Sequence, residues 1–123
     1  MTAVAYVARR PARSQFVALR GLRYHVHVWG DASLVTPQRP PLVMVHGWMD
    51  VAASYQFMVD ALSPAFFAGR FIIAPDWRGF GQTTLAAPCD HYVFADYLGD
   101  LDALIDHYAP DGQPVDLLGH SMG

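Results

Sequence analysis

The alternation of apolar and polar residues near the start of the chain predicts a β-hairpin. Residues 22–29 alternate with a period of two, and residues 14–19 form a shorter apolar-leaning stretch before them. Arg20-Gly21 joins the two segments and is typical of a tight turn, because glycine adopts a positive φ without steric cost. We expect the second strand to be half buried, with His25 and His27 on its solvent-exposed face.

Three later segments are apolar without alternation, which is typical of strands that are covered on both faces. They are residues 42–45, 71–74 and 115–119. Residues 51–62 and 94–108 lie between them and place apolar residues at steps of three and four, as amphipathic helices do. Buried strands that alternate with helices predict an α/β fold, here an antiparallel hairpin followed by parallel strands with crossover helices.

The second of these helices has a continuous apolar stripe. The stripe consists of Phe94, Tyr97, Leu98, Leu101, Leu104, Ile105 and Tyr108. Four aspartates lie outside it, and we expect them to form the solvent-exposed face: Asp96, Asp100, Asp102 and Asp106. Asp90 is the expected N-cap, because its side chain can accept a backbone N–H of the first turn.

Composition narrows the range of functions. The chain has 123 residues, a net charge of −3 and 53% hydrophobic residues, which suits one globular domain. It contains neither Lys nor Glu, so phosphate binding by a P-loop and Schiff-base catalysis by a lysine are excluded. No basic patch suits a nucleic acid, and no apolar run approaches the roughly 18 residues of a membrane span.

The first 13 residues predict a flexible tail that precedes one domain over residues 14–123. Arg9-Arg10 looks like a twin-arginine pair, but the apolar segment of a signal peptide does not follow it. Cys89 is the only cysteine and cannot form an internal disulfide. These observations favour a cytoplasmic protein and leave its oligomeric state open.

A serine motif follows the last apolar strand directly. Gly119-His120-Ser121-Met122-Gly123 has the G-x-S-x-G pattern of a nucleophile elbow, in which a sharp strand-to-helix turn projects the serine above the sheet. The flanking glycines, Gly119 and Gly123, leave room for that crowded turn. The motif predicts that Ser121 is a catalytic nucleophile. The alternative is an ordinary serine in a turn after a strand.

A second motif, His46-Gly47-Trp48, follows the strand at residues 42–45. An acyl-transfer enzyme needs backbone N–H donors aimed at the developing oxyanion, and two adjacent strand ends can supply them. We expect Trp48 to provide one donor and Met122, the residue after the nucleophile, to provide the other. The alternative for this motif is a simple loop turn at Gly47.

Other polar residues predict structural roles. Asp76 and Arg78, after the strand at residues 71–74, are expected to cap turn amides and to pair with acidic neighbours. Gly79-Phe80-Gly81 lacks the third glycine of a dinucleotide fingerprint, since Thr84 stands in its place. His25 and His27 share one strand face, but the sequence places no third metal ligand near them.

The three motifs in this order resemble the α/β-hydrolase family, and the match runs from about residue 14 to Gly123. The stretch His46-Gly47-Trp48-Met49-Asp50-Val51-Ala52-Ala53-Ser54 is similar to its serine-hydrolase-like branch. The resemblance implies an esterase-type serine hydrolase that acts on a small-molecule acyl substrate and needs no metal or organic cofactor. Ser121 would be its nucleophile. Serine at this position disfavours the family's epoxide hydrolases and haloalkane dehalogenases, which use aspartate there.

The same resemblance implies a catalytic triad that these 123 residues do not complete. In the family the acid and the histidine follow the serine along the chain, and none of the six histidines here occupies the place of the base. We therefore expect an N-terminal portion of the domain that is inactive by itself, because it lacks the general base. We also expect it to be poorly soluble or only partly folded, because residues 115–119 would form an exposed apolar edge. The alternative is a non-catalytic module that binds a partner through that edge.

Overall fold

One mixed β-sheet organises the chain in the computed structural model, which describes residues 5–85, 87, 89 and 91–123. Its strands are Arg13–Leu19 (β1), Leu22–Trp29 (β2), Leu42–Val45 (β3), Ile72–Pro75 (β4), Thr84–Leu85 (β5) and Asp116–Gly119 (β6). The α-helices are Gln56–Ala61 (α1), Pro64–Ala68 (α2) and Phe94–Tyr108 (α3), and two 3-10 helices span Ala32–Leu34 and Ala52–Tyr55. None of the described helices combines the length and apolar character needed to cross a membrane.

The sheet has the strand order β1-β2-β4-β3-β6, with β5 added to β2. β1 and β2 form the predicted antiparallel hairpin, and the register pairs Leu19 with Leu22 across the turn. β3 lies parallel to both β4 and β6, which confirms the predicted parallel strands. The fold class is therefore the predicted one: α/β, with a hairpin followed by parallel strands and intervening helices.

Helices cover both faces of the sheet. On one face α3 packs Tyr97 and Leu104 against buried residues of β2, β3 and β4. On the other face the second 3-10 helix and α1 pack Tyr55 and Val59 against the same strands. The parallel strands β3 and β4 are buried along their whole length, as their unbroken apolar runs predict.

The segment between β3 and β4 differs from the single helix predicted over residues 51–62. It forms a 3-10 helix, then the short α1, and the chain turns out of the helix at Leu62, whose backbone is extended. Ser63 then caps a further helix by accepting the N–H of Phe66, and Pro64 occupies its first turn. Proline suits that position because its missing N–H has no partner there anyway.

The helix α3 has a narrower buried face than its apolar stripe predicts. Phe94 and Leu98 are more than half exposed, whereas Asp100, expected on the solvent face, is fully buried. Asp90, the expected N-cap, lies outside the described residues, and Val93 occupies the N-cap position without a side-chain hydrogen bond.

Strand β2 is more buried than the predicted half-buried strand, because on the face of Arg23, His25 and His27 only Arg23 is exposed. His25 has no exposed surface, and His27 is partly buried. The physical reason is a buried carboxylate after β4: Asp76 lies against His25 and replaces the water that the sequence pattern assigned to that face.

Part of the N-terminal segment predicted to be a tail packs on α1. The carboxylate of Asp60 accepts the backbone N–H groups of Arg9 and Arg10, both at 3.0 Å, and the hydroxyl of Tyr6. The guanidinium of Arg10 donates to the carbonyl oxygens of Val59 and Leu62 at the end of α1. Asp60 thus accepts three of the hydrogen bonds that hold this segment, and the side chain of Arg10 adds two more.

We expect acid to release this segment. The hydrogen bonds from Tyr6 and from the two backbone amides lower the pKa of Asp60 to about 2, compared with about 3.9 in an unfolded chain. The stabilisation is therefore complete above about pH 4 and is lost as the pH falls through about 2. Hydrogen exchange of the Arg9 and Arg10 amides, followed by mass spectrometry, measures the release.

The control for this prediction is Asp60→Asn, which should give fast exchange of both amides already at pH 7. Equal protection at pH 7 in the variant and the parent protein would contradict the assignment of Asp60 as the anchor.

Candidate active site

The serine motif forms a sharp turn at the end of β6. Ser121 has a φ of +59°, a conformation that costs a residue with a side chain about 1–3 kcal/mol and that Arg20, Met49 and Asp111 also adopt in this chain. The turn is closed by a hydrogen bond of 3.0 Å from the Gly123 N–H to the His120 carbonyl. A strained serine directly after a parallel strand is the geometry that the G-x-S-x-G pattern predicts.

The two outer glycines of the motif are required by close backbone contacts. A Cβ atom at Gly119 would lie 2.4 Å from the carbonyl carbon of Gly123, and one at Gly123 would lie 2.2 Å from the carbonyl oxygen of Val45. That oxygen also accepts hydrogen bonds from the His120 N–H and the Tyr55 hydroxyl. The turn is thus pressed against the end of β3.

Gly123→Ala should displace the turn. The added methyl meets backbone, which cannot rotate away, so we expect a loss of about 1–3 kcal/mol in unfolding free energy. We also expect slower reaction of Ser121 with a fluorophosphonate in the protein expressed from its complete gene. Gly112→Ala is the control, because a Cβ there meets no atom within 4 Å and only the positive φ is disturbed. Equal reaction rates of Ser121 in the two variants would contradict the steric account.

The loop after β3 lies against the serine turn. A Cβ on Gly47 would be 3.0 Å from the Cβ of Ser121 and 3.1 Å from the His120 carbonyl oxygen, so glycine permits this approach. The side chain of Trp48 is half exposed and meets the ring of Phe80 edge-on at 5.3 Å. The two predicted motifs are therefore brought together in space.

His46 fixes the position of this loop. Its Nε2 accepts the backbone N–H of Trp77 at 3.0 Å, so the proton is on Nδ1, which donates to the Gly47 carbonyl at 2.8 Å. The indole of Trp77 in turn donates to the His46 carbonyl. Because both ring nitrogens are engaged and the side chain is buried, His46 connects two loops and does not face Ser121 as a base.

Two backbone N–H groups beside Ser121 are available. In the part of the chain that the structure describes, neither the Trp48 N–H nor the Met122 N–H donates a hydrogen bond. These are the two donors that the sequence predicts for an oxyanion. Donors without protein partners at such a point can stabilise a developing negative charge.

None of the described hydrogen bonds joins a histidine ring to the Ser121 hydroxyl. His120 is exposed and lines a cavity of about 240 Å³ together with His46, Asp50, Ser54 and Tyr55. Hydrogen bonds from Ser54 and from the Val51 amide lower the pKa of Asp50. This cavity therefore presents polar groups beside the turn, but the base of a triad is not among them.

Asp76 ties together the elements behind the site, as its predicted structural role requires. It accepts the backbone N–H groups of Ala52 at 2.9 Å and Gln82 at 3.0 Å, and it contacts the Nδ1 atom of His25 at 2.7 Å. A carboxylate with three such partners joins β2, the 3-10 helix after β3 and the loop after β4.

Arg78 anchors helix α3, also in line with its predicted pairing. Its guanidinium contacts both carboxylate oxygens of the buried Asp100 at 2.7 Å. Asp100 also accepts the Tyr24 hydroxyl at 2.7 Å and an N–H of Arg20 at 2.8 Å. Burial and the hydrogen bond to Asp100 raise the pKa of Tyr24 well above its usual range. The buried carboxylate of Asp100 therefore accepts four hydrogen bonds from three side chains.

The two histidines of β2 do have a third potential metal ligand nearby, which corrects the sequence prediction. Ligand atoms of His25, His27 and Asp76 all lie within 4.8 Å of one another. Burial, with a smaller contribution from His25, lowers the pKa of His27. However, Nε2 of His25 contacts the Ser14 hydroxyl at 2.9 Å and Nδ1 contacts Asp76, so both nitrogens already have partners.

A family model described as alpha/beta hydrolase fold matches residues 40–123, which include both loops of the site. The chain belongs to this family. In this chain the loop at His46 and the turn at Ser121 follow the ends of the neighbouring parallel strands β3 and β6.

Three proteins of known name or structure are similar to this chain. Probable oxidoreductase EphD of Mycobacterium tuberculosis is 33% identical over 103 residues, which are 84% of this chain and 16% of EphD. The human Serine hydrolase-like protein is 27% identical, over 77% of this chain and 41% of that protein. Potato (Solanum tuberosum) epoxide hydrolase I is similar with a TM-score of 0.74 at 27% identity, over 91% of this chain and 33% of that structure. The chain spans less than half the length of each of these relatives.

Sequence reasoning missed the contact among Ser14, His25 and Asp76. The proximity of Ser14 to His25 could have been predicted. The tight turn at Arg20-Gly21 fixes the hairpin register and pairs Ser14 with His27, which lies next to His25 on the same face. The approach of Asp76 to His25 could not have been predicted from the sequence, because it depends on the pairing of β2 with β4, about 50 residues further along the chain.

Proposed function

We propose that this alpha/beta hydrolase cleaves carboxylic esters or related acyl compounds through an acyl-enzyme on Ser121. The observation that carries the proposal is the placement of a strained serine beside two unused backbone donors, those of Trp48 and Met122. Membership of the hydrolase family supports it.

The proposed reaction has two steps. The Ser121 oxygen attacks the carbonyl carbon, its proton passes to a general base, and the tetrahedral oxyanion is held by the two N–H groups. The bond to the leaving group breaks and that group takes the proton. Water then attacks the acyl-enzyme in the same way and releases the acid. No metal or organic cofactor enters these steps.

We assign the general base and its acid partner to residues outside this 123-residue sequence, and we expect these residues alone to be inactive. The described histidines support this assignment. His46 and His25 have both ring nitrogens engaged, and none of the described hydrogen bonds joins His27, His107 or His120 to Ser121. Without a base, the serine and its donors would retain only weak residual catalysis.

The chemistry of serine distinguishes this proposal from epoxide opening. Attack of a carboxylate on an epoxide gives an ester, which water can hydrolyse. Attack of Ser121 on an epoxide would give an ether, which an oxyanion site cannot help to hydrolyse. Several relatives are named as epoxide hydrolases, so the distinction needs a direct test.

The experiment uses the protein expressed from its complete gene, with p-nitrophenyl esters of two to sixteen carbons and with styrene oxide. We expect turnover of at least some esters and no diol from the epoxide. The chain-length profile then begins to define the substrate. Diol formation without ester turnover would contradict the proposal.

A second candidate function is partner binding, which the open edge of the sheet favours. Among the described strands β6 pairs only with β3, and Leu117 on it is 52% exposed. Leu117 lines an apolar groove of about 230 Å³ together with Phe94 and Leu98 of α3. Partner binding would be favoured over ester hydrolysis if the folded full-length protein turned over no ester and its Ser121 did not react with a fluorophosphonate.

A further inference from the structure

A second serine is hydrogen-bonded to an imidazole and, through it, to a carboxylate. Nε2 of His25 lies 2.9 Å from the Ser14 oxygen, and Nδ1 lies 2.7 Å from an oxygen of Asp76. These are the contacts that join nucleophile, base and orienting acid in a catalytic triad. The residues come from β1, from β2 and from the position after β4.

The partners of Asp76 determine where the protons lie. Its carboxylate accepts two backbone N–H groups, from Ala52 and Gln82, and is therefore held as an acceptor. The proton of the contact with His25 is then on Nδ1. In the neutral imidazole this leaves a lone pair on Nε2, which accepts the hydroxyl proton of Ser14. Ser14, His25 and Asp76, which together we call the array, are thus placed so that Nε2 of His25 can remove that proton.

Burial separates the base from the nucleophile. His25 has no exposed surface and Asp76 is 2% exposed, while Ser14 is exposed. The rings of Phe16 and His27 lie 5.0 and 4.7 Å from the His25 ring and shield it from water. A dry and rigid imidazole–carboxylate pair beneath an accessible hydroxyl is a favourable arrangement for general-base catalysis.

This array is remote from the serine turn after β6. Ser14 lies on one edge strand of the order β1-β2-β4-β3-β6, and Ser121 follows the other. Four strand spacings of about 4.8 Å place the two strands roughly 19 Å apart. The array therefore cannot serve as the base of Ser121.

We propose that Ser14 is an activated surface nucleophile that takes an acyl group from small activated esters. The Ser14 oxygen forms a bond to the acyl carbon as the bond from that carbon to the leaving oxygen breaks. The hydroxyl proton passes to Nε2 of His25 and then to the leaving alkoxide or phenoxide. The product is one acyl group per chain on Ser14, and the proposal does not depend on the function of Ser121.

The test uses p-nitrophenyl acetate and the complete protein carrying Ser121→Ala, so that the serine of the turn after β6 cannot react. EDTA is added, because a divalent ion would compete for the same imidazole and carboxylate. We expect acetylation of the peptide containing Ser14, at a rate about 100-fold above that of Ser33, as positioned general bases give. Ser33 is the internal control, since it is exposed and contacts a carboxylate, Asp31, without an imidazole between them.

Ser14→Ala should remove this acetyl group, and His25→Gln should reduce the Ser14 rate to that of Ser33. Acetylation of Ser14 no faster than that of Ser33 would overturn the proposal. So would an unchanged Ser14 rate in a folded His25→Gln protein.

A second variant keeps the test independent of any damage from His25→Gln. In a Cys89→Ala background, Ser14→Cys places a thiol beside the intact imidazole, and Ser33→Cys places one beside Asp31 alone. We expect iodoacetamide at pH 6.5 to alkylate position 14 at least tenfold faster, because a neighbouring base increases the thiolate fraction. Equal alkylation rates would overturn the proposal.

Discussion

Ser121→Ala is expected to lower kcat/KM for p-nitrophenyl ester hydrolysis by about 10⁴-fold or more in the protein expressed from its complete gene. The loss is this large because the substitution removes the atom that forms the acyl-enzyme. The two backbone donors of Trp48 and Met122 remain, and they leave only a small residual rate. Steady-state kinetics with the best ester of the panel measures the effect.

Ser54→Ala is the matched control for this prediction. Ser54 lines the neighbouring polar cavity and its hydroxyl contacts Asp50, but the proposed reaction does not use it. We expect its kcat/KM to stay within a few-fold of the parent value. A Ser121→Ala protein that retained full activity would show that another residue carries the reaction.

Asp100→Asn is expected to lower the free energy of unfolding by about 3–5 kcal/mol, the range measured when one partner of a buried ion pair is removed. The amide has one acceptor oxygen where the carboxylate has two, so it cannot accept both N–H groups of Arg78. Its NH2 group also faces the donors of Tyr24 and Arg20. Because Arg78 and Tyr24 are largely buried, water cannot replace the carboxylate that they lose. Urea unfolding followed by circular dichroism measures the loss.

Asp102→Asn provides the comparison, since Asp102 is exposed on the same helix and has no described ion pair. We expect a change within about 0.5 kcal/mol there, as is usual for surface substitutions. Equal effects of the two substitutions would mean that the contacts of Asp100 contribute little to stability.

Asp100 also shows where sequence reasoning ends. Its spacing on α3 places it beside the other aspartates and away from the apolar stripe, so a solvent-exposed position was the natural expectation. Its burial depends on Arg78 and Tyr24, which come from a loop and a strand far away in the sequence. The periodicity of one helix cannot report a charge partner supplied by another element.

The strands were predictable for the opposite reason. The unbroken apolar runs of β3 and β4 reflect burial on both faces, and the tight turn at Arg20-Gly21 fixes the register of the hairpin. The proximity of Gly47 to Ser121 also follows from a general rule, since the carboxyl ends of neighbouring parallel strands meet at one edge of a sheet. These are local patterns combined with a rule of topology.

His25 lies between these two cases. The alternation in β2 is real, and it places His25 on the face opposite Val26. The pattern by itself could not reveal that this face is closed by Asp76 and Phe16. A polar residue on an alternating strand indicates either water or a buried polar partner, and only the tertiary structure distinguishes the two.

The most direct test of the central proposal is to react the protein from its complete gene with a fluorophosphonate and to map the adduct by peptide mass spectrometry. We expect a rapidly formed phosphonyl group on the peptide that contains Ser121, and the loss of that group from this peptide after Ser121→Ala. An unreacted Ser121 in a folded and otherwise intact protein would contradict the assignment of this residue as a hydrolase nucleophile.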